Sequence, residues 1–160
     1  VTPDAALIRQ RYIDMGYHCP DFSAQAALSD GACRLVARQD GQVQGTLLLR
    51  HDGTQRLWAD ETYPLETQRL RRAGSRLLEV GCFAASRNAG LAVSQALIRA
   101  TVSYAQQLGF DCLLMEVNPR HQRFYRHIGF AAVADHAQCQ ACRCRIGTDL
   151  GHAQRIAAFA

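Results

Sequence analysis

Lysine is absent. All 18 basic side chains of this 160-residue chain are arginine, so any phosphate contact must come from a guanidinium or from backbone amides. Long apolar runs are absent as well. The apolar runs present, such as residues 112–115, fall far short of the ~20 residues that a membrane helix requires. The N-terminus lacks a basic segment followed by an apolar one, which predicts a cytoplasmic protein rather than an exported one. The arginines form no long run. The one tight cluster, Arg69, Arg71 and Arg72, has no interleaved aromatics, so the chain carries no nucleic-acid footprint. Repeats, low-complexity tracts and linkers are also missing. What remains is 48% apolar content and a net charge of +4, which predicts a single compact domain over residues 1–160. Nothing in the sequence sets an oligomeric state.

Seven cysteines, an odd number, in a chain without an export signal predict reduced thiols. Cys139, Cys142 and Cys144 are spaced C-x-x-C-x-C. Zinc would need a fourth ligand there, His136 or His152. The alternation of "ACRCRIG" argues for packing instead: Cys142, Cys144 and Ile146 share one strand face while Arg143 and Arg145 take the other. No metal is assigned.

The periodicities order the elements. Residues 4–16 read as a helix preceded by Pro3 and closed by Gly16. "CRLVARQDGQVQGTLLLR" reads as a hairpin turning at Asp40-Gly41. A loop follows to residue 58. Residues 61–73 favour helix, with Pro64 breaking the start. Residues 76–85 read as a buried strand and 91–108 as a long helix, with a stripe at Val93, Leu97, Ala100, Tyr104 and Leu108, capped by Gly109. "DCLLMEV" is an apolar strand of the kind buried on both faces. A short helix at 121–128, strands at 130–134 and 141–147, and a closing helix at 150–159 complete a mixed α/β order.

Two stretches carry more chemistry than packing needs. Arg87-Asn88-Ala89-Gly90-Leu91-Ala92 joins a buried strand to the N-terminus of the long helix, where exposed amides and the helix dipole suit an anion. It is neither a Walker loop, which needs Lys, nor a G-x-G-x-x-G fingerprint. "EVNPRHQRFYRHIGF", residues 116–130, places Asn118, Pro119, Arg120, His121 and Tyr125 at the end of a buried strand.

Together, the R-x-x-G-x-A spelling, the amphipathic helix, the next strand and "FYRHIGF" resemble the GNAT acyltransferase superfamily over residues 76–131. "NPRHQRFYRHIGF" and "ADETYPLETQRLRRAGSRLLEVGCFA" narrow the resemblance to FeeM-type N-acyl amino acid synthases, relatives of the acyl-homoserine-lactone synthases. The resemblance implies an α/β (α+β) GNAT-like fold: a mixed, mostly antiparallel sheet with a splayed parallel strand pair, flanked by helices. It implies an N-acyltransferase that moves an acyl group, expected to be long, from acyl carrier protein or coenzyme A to the amine of an amino acid or similar acceptor. The thioester would be a co-substrate, with no tightly bound cofactor. Both synthase groups commonly carry E-x-S-R where this chain has Glu79-Val80-Gly81-Cys82. Glu79 matches, but Gly81 and Cys82 replace Ser and Arg, so the contacts of that Arg are lost.

Acyl transfer to an amine needs a base for the ammonium, a donor to the oxyanion and an acid for the leaving thiolate. Glu79 is the expected base, directly or through water; its bland alternative is a buried carboxylate paired with an arginine such as Arg76. Tyr125 matches the GNAT tyrosine that protonates the thiolate; its alternative is a core tyrosine bonded to backbone. Backbone amides of Phe83, Ala84 and Ala85 would hold pantetheine, with Arg87, Asn88, Gly90, Leu91 and Ala92 at the donor phosphate. Glu116, Asn118, Arg120 and His121 would line the slot, with Asn118 alternatively capping the short helix. Cys82 reads as a packed thiol and His127 as surface. Arg69, Arg71, Arg72 and Arg126 read first as a solvated face, with docking of an acidic carrier protein as the alternative. Two other functions fit less of the pattern: an acetyl-coenzyme A acetyltransferase and a non-catalytic thioester-binding module.

Overall fold

The computed structural model describes residues 2–16, 31–54, 56–135 and 144–149. Helix α1 spans Pro3–Asp14. Strands β1, Ala32–Gln39, and β2, Gln42–His51, pair antiparallel about the Asp40-Gly41 turn. Both turn residues have positive φ, 51° and 77°, the pattern that matches hairpin twist. Helices α2, Ala59–Thr62, and α3, Pro64–Arg72, meet at the break set by Pro64. Then come β3, Leu77–Ala85, α4, Gly90–Gln107, and β4, Cys112–Val117. A 3₁₀ turn at Pro119–His121 leads into α5, Gln122–His127, followed by β5, Ala131–Asp135, and β6, Cys144–Asp149. Cys139, Cys142, His136, His152 and the expected helix at 150–159 lie outside the described residues.

The six strands form one sheet in the order β1-β2-β3-β4-β6-β5. Only β3 and β4 are parallel; the remaining neighbours are antiparallel. Alternation splits the side chains between two faces. Leu78 and Val80 of β3 and Leu113, Met115 and Val117 of β4 join Leu97, Ile98 and Val102 of α4 and Tyr125, Ile128 and Phe130 around α5. On the opposite face, Leu77, Cys112 and Leu114 meet Leu57 and Ala59, while Leu48, Cys82 and Ala84 meet Ile8 of α1.

The buried face of α4 differs from the expected stripe. Leu97, Ile98, Thr101, Val102 and Ala105 are buried, whereas Ala100 is exposed and Leu108 is 44% exposed. The helix lies across β1, β2 and β3, and a broad sheet covers adjacent rows i, i+1, i+4 and i+5 rather than one narrow seam. Tyr104 sits at the margin, its hydroxyl 2.8 Å from His51 Nε2.

The spacing of "FYRHIGF" has a geometric cause. Gly129 takes φ 103° and donates its N–H to the Arg126 carbonyl, while the Phe130 N–H reaches Tyr125. This is the Schellman ending of α5, and its usual apolar contact falls between Tyr125 and Phe130, ring centroids 5.8 Å apart at 80°.

Arg71 is neither the freely solvated side chain nor the open docking residue that the sequence suggested. Its Nε and Nη2 donate to the two oxygens of Asp52 at 2.8 and 2.7 Å, and its Nη1 and Nη2 donate to Asp60 at 2.7 and 2.9 Å. The planar fork ties α3 to both α2 and the segment after β2. Arg69 and Arg72 remain exposed. Arg71→Leu is expected to lower the urea unfolding free energy by about 1–2 kcal/mol, with Arg69→Leu and Arg72→Leu within about 0.5 kcal/mol of the parent. The Arg71 hydrogen bonds come first among the causes that hold the Asp60 carboxyl below its ordinary 3.8. A depressed folded value gives stability that is complete above the unfolded value and lost as pH falls through the folded one. The Arg71→Leu penalty should therefore shrink below about pH 4.

Candidate active site

Parallel pairing of β3 with β4 runs from Leu77–Cys112 to Val80–Met115 and stops. Beyond it, β3 stays with β2, and β4 stays with β6 as far as Val117–Cys144. The sheet therefore splits along its one parallel seam. A bulge sits at the split: two residues advance on β2, from Leu48 to Thr46, against three on β3, from Gly81 to Ala84. Cys82 within it has φ 51°, rare for a residue with a side chain. The extra residue puts both Gly81 and Cys82 on the face that carries Glu79, Gly81 against Trp58 and Cys82 against Ile8 and Leu48.

A cavity of about 640 Å³ passes through the split. Val80, Phe83, Met115, Val117, Phe124 and Tyr125 bound it on the α4/α5 side. Glu79, Gly81, Trp58, Tyr12, Glu61 and Glu116 bound it on the α1/α2 side. Alternation settles the facing of Glu116: Met115 and Val117 point toward α4, so Glu116 shares the face of Glu79.

Glu79 is 1% exposed. Its carboxylate accepts the Trp58 N–H at 2.6 Å and the Ala59 N–H at 2.9 Å, through different oxygens. Arg76 is not its partner. That guanidinium lies over Phe110 at 5.4 Å and donates to the Leu108 carbonyl. The anchor of Glu79 is instead the entry to α2, a backbone contact that side-chain types do not announce.

Tyr125 is buried between Phe124 and Phe130 and lines the cavity from the other face. Among the described residues its hydroxyl makes no hydrogen bond. Burial pushes the phenol up to about 12, so it holds its proton at neutral pH. At the rim, Asn118 Oδ1 accepts the Arg120 N–H at 3.0 Å and caps the 3₁₀ turn, which turns His121 into the cavity lining. Desolvation first, and the Arg120 charge second, lower the His121 pKa from 6.5, leaving a neutral imidazole at pH 7.

Toward the start of α4, Phe83, Ala84, Ala85 and Leu91 line the cavity. Among the described residues, the edge of β3 past Val80 has no strand partner on the β4 side. α4 begins at Gly90 with Ala89 as N-cap and no side-chain cap, so its first amides are left for water or an anion. A Cβ on Gly90 would meet nothing within 4 Å. Asn88, Gly90 and Ala92 flank the cavity without lining it, and so does Arg120. Arg87 reaches Asp14 of α1 at 3.3 Å. The sequence reading missed Trp58, Tyr12, Arg11, Met15, Glu61 and Thr62, all of which line the cavity. They come from α1 and its C-cap, from Trp58 and from α2; Glu61 and Thr62 lie in the stretch that carries the family resemblance, but its spelling does not mark them as cavity lining.

A family model described as N-acyl amino acid synthase FeeM matches residues 5–146. The solved structure of FeeM, an N-acyl amino acid synthase from uncultured soil microbes, superposes with a TM-score of 0.81 at 24% identity, covering 91% of this chain and 88% of that one. The CoA-dependent acyl-homoserine lactone synthase BjaI gives 0.72 at 13% identity, over 96% and 76%. An acyl-CoA N-acyltransferase from Pseudomonas aeruginosa gives 0.64 at 18%, over 90% and 86%. No curated protein matches the sequence. Among the described residues, no helix is long and apolar enough to cross a membrane, and no group of three or more His, Cys, Asp or Glu is placed to hold a metal ion.

Glu79→Ala should cost about 1–3 kcal/mol in urea unfolding, because two buried amides lose their acceptor; Glu79→Gln, which keeps one acceptor, should cost less. An NMR titration of His121 should give a midpoint below 6.5.

Proposed function

The chain belongs to the FeeM family of N-acyl amino acid synthases and is an N-acyltransferase; from that premise we propose that it transfers a long-chain acyl group from a thioester on acyl carrier protein or coenzyme A to the amino group of an amino acid. The observation that carries the reading is the cavity through the split sheet, with Glu79 on one side and Tyr125 on the other. The α4/α5 side is the donor side. The uncapped amides of α4 receive the phosphate of the phosphopantetheine or coenzyme A. The pantetheine arm runs along the unpaired edge of Phe83 to Ala85, whose amides polarise the thioester carbonyl. The acyl chain lies against Val80, Met115, Val117 and Phe124, each buried methylene contributing about 0.8 kcal/mol.

The amine arrives on the α1/α2 side. Glu79 takes its proton, directly or through one water, while Trp58 and Ala59 hold the carboxylate in place. The nitrogen adds to the carbonyl carbon to form a tetrahedral oxyanion. Its collapse breaks the C–S bond, and the Tyr125 hydroxyl gives its proton to the departing thiolate. The proton left on the added nitrogen passes to solvent as the amide forms, solvent reprotonates the phenolate, and Glu79 releases the proton it took. The neutral His121 and Asn118 border the path by which the acceptor enters. One acyltransferase domain over residues 1–160 suffices for this chemistry.

The test is thiol release from long-chain acyl carrier protein, long-chain acyl-coenzyme A and acetyl-coenzyme A, each with a pool of free amino acids, and mass spectrometry of the products. An N-acyl amino acid from a long-chain donor is expected. Product from acetyl-coenzyme A alone contradicts the long-chain donor, and no release with any donor contradicts the reading. Tyr125→Phe should lower kcat by about 10²-fold or more. The parent should lose no rate to tyrosine ionisation between pH 7 and pH 10, because that hydroxyl titrates near 12.

A further inference from the structure

Trp58 is the only tryptophan in the chain, and its position is set with respect to Glu79. Its backbone N–H donates to Glu79 Oε2 at 2.6 Å. Its ring lies flat against Gly81, where any Cβ would overlap it. From outside the cavity, the Arg50 guanidinium stacks on the ring 3.9 Å from its centroid, an attraction of the cation–π kind. Arg50 also donates to the Arg56 carbonyl at 3.1 Å, tying down the segment that carries the tryptophan. Ile8, Leu48, Cys82 and Ala84 form the apolar floor against which the ring packs. Trp58 is thus a fixed wall of the cavity on the α1/α2 side. Position 81, where a side chain would otherwise enter the same space, is given over to it.

We infer that Trp58 determines which amine is acylated, by bounding the space for the side chain of the acceptor beside Glu79. This rests on the proposed function for the side from which the acceptor arrives. The ring packs with Ile8, Leu48, Cys82 and Ala84 on the α1/α2 face, apart from the α4/α5 lining of Val80, Met115 and Phe124, so it limits the acceptor and leaves the acyl chain untouched. A rigid ring in that wall admits compact amino acids and turns away those with bulky side chains. Packing selects against excess volume because a cavity wall held from both sides has no inexpensive rearrangement.

The experiment compares the parent with Trp58→Leu and Arg50→Ala, using dodecanoyl acyl carrier protein as donor and glycine, alanine, leucine, phenylalanine and tryptophan as acceptors. Trp58→Leu is expected to raise kcat/KM for phenylalanine and tryptophan relative to alanine by about tenfold or more. Arg50→Ala, which loosens the ring, should move the ratio the same way by less. The ranking of octanoyl, dodecanoyl and hexadecanoyl donors should not change. A shifted donor ranking with an unchanged acceptor ranking overturns the inference. If Trp58→Leu fails to fold, Trp58→Phe keeps an aromatic on the floor and should give the smaller shift in the same direction; no shift in that variant together with none in Arg50→Ala overturns the inference. The emission of Trp58 gives a readout independent of turnover. Titrating the parent with alanine should change it saturably, and a flat response overturns the inference. Saturable emission with no thioester cleaved in any pairing would defeat the proposed function and leave the placement of the amino acid beside Trp58 standing.

Discussion

Four residue pairs join β3 to β4, and the ladder stops at Val80 and Met115. Every other functional feature depends on that short parallel seam. If it continued, the backbone of residues 81–85 would be consumed by the sheet and no passage would connect the two faces. The opening is held because each strand keeps its antiparallel partner on the far side, β2 for β3 and β6 for β4. The bulge at Cys82 then bends β3 away, and Ser86 fastens the far end through its amide to the Gln44 carbonyl. The split costs ladder hydrogen bonds only on the edges that face the cavity, where a ligand or water replaces them.

The two faces divide the chemistry between them. Tyr125, buried among aromatics, keeps its proton; Glu79, held by two backbone amides, keeps its orientation. Neither side chain touches the other's face, so the proposed acid and base would act on opposite ends of a group lying in the gap. The all-arginine composition enters here in a physical way. Stacking on Trp58 and forking across Asp52 and Asp60 both use a planar guanidinium, which an ammonium does not reproduce. These two arginines hold α2 and its tryptophan in place from outside the cavity.

The order of the strands, the long helix, the hairpin turn and the Gly-Phe ending of α5 were legible in the sequence, because each rests on local rules: period, turn chemistry and capping. So was the family, through motifs at a fixed separation. The buried row of α4 was not, since the width of the sheet beneath decides how many rows are covered. Glu79 was singled out by its motif, but its anchor was not legible, because its hydrogen bonds come from main-chain amides twenty residues earlier in the chain rather than from the arginine offered as its alternative partner. Arg71 looked like its exposed neighbours Arg69 and Arg72; only the fold brings Asp52 and Asp60 to it. Trp58 escaped notice because a lone tryptophan in a loop carries no period, and the absence of a side chain at Gly81 makes sense only once the ring is seen lying on it.

The most direct test of the account is a structure of the protein with a stable bisubstrate thioether, in which the pantetheine sulfur is bonded to carbon 2 of a dodecanoyl chain whose carbonyl is joined to the nitrogen of alanine as an amide. The account predicts the sulfur within about 3.5 Å of the Tyr125 hydroxyl, the nitrogen beside Glu79 on the α1/α2 side, and the chain against Val80 and Phe124. An analogue lying wholly on one face of the sheet, or threaded with its nitrogen toward Tyr125, would contradict it.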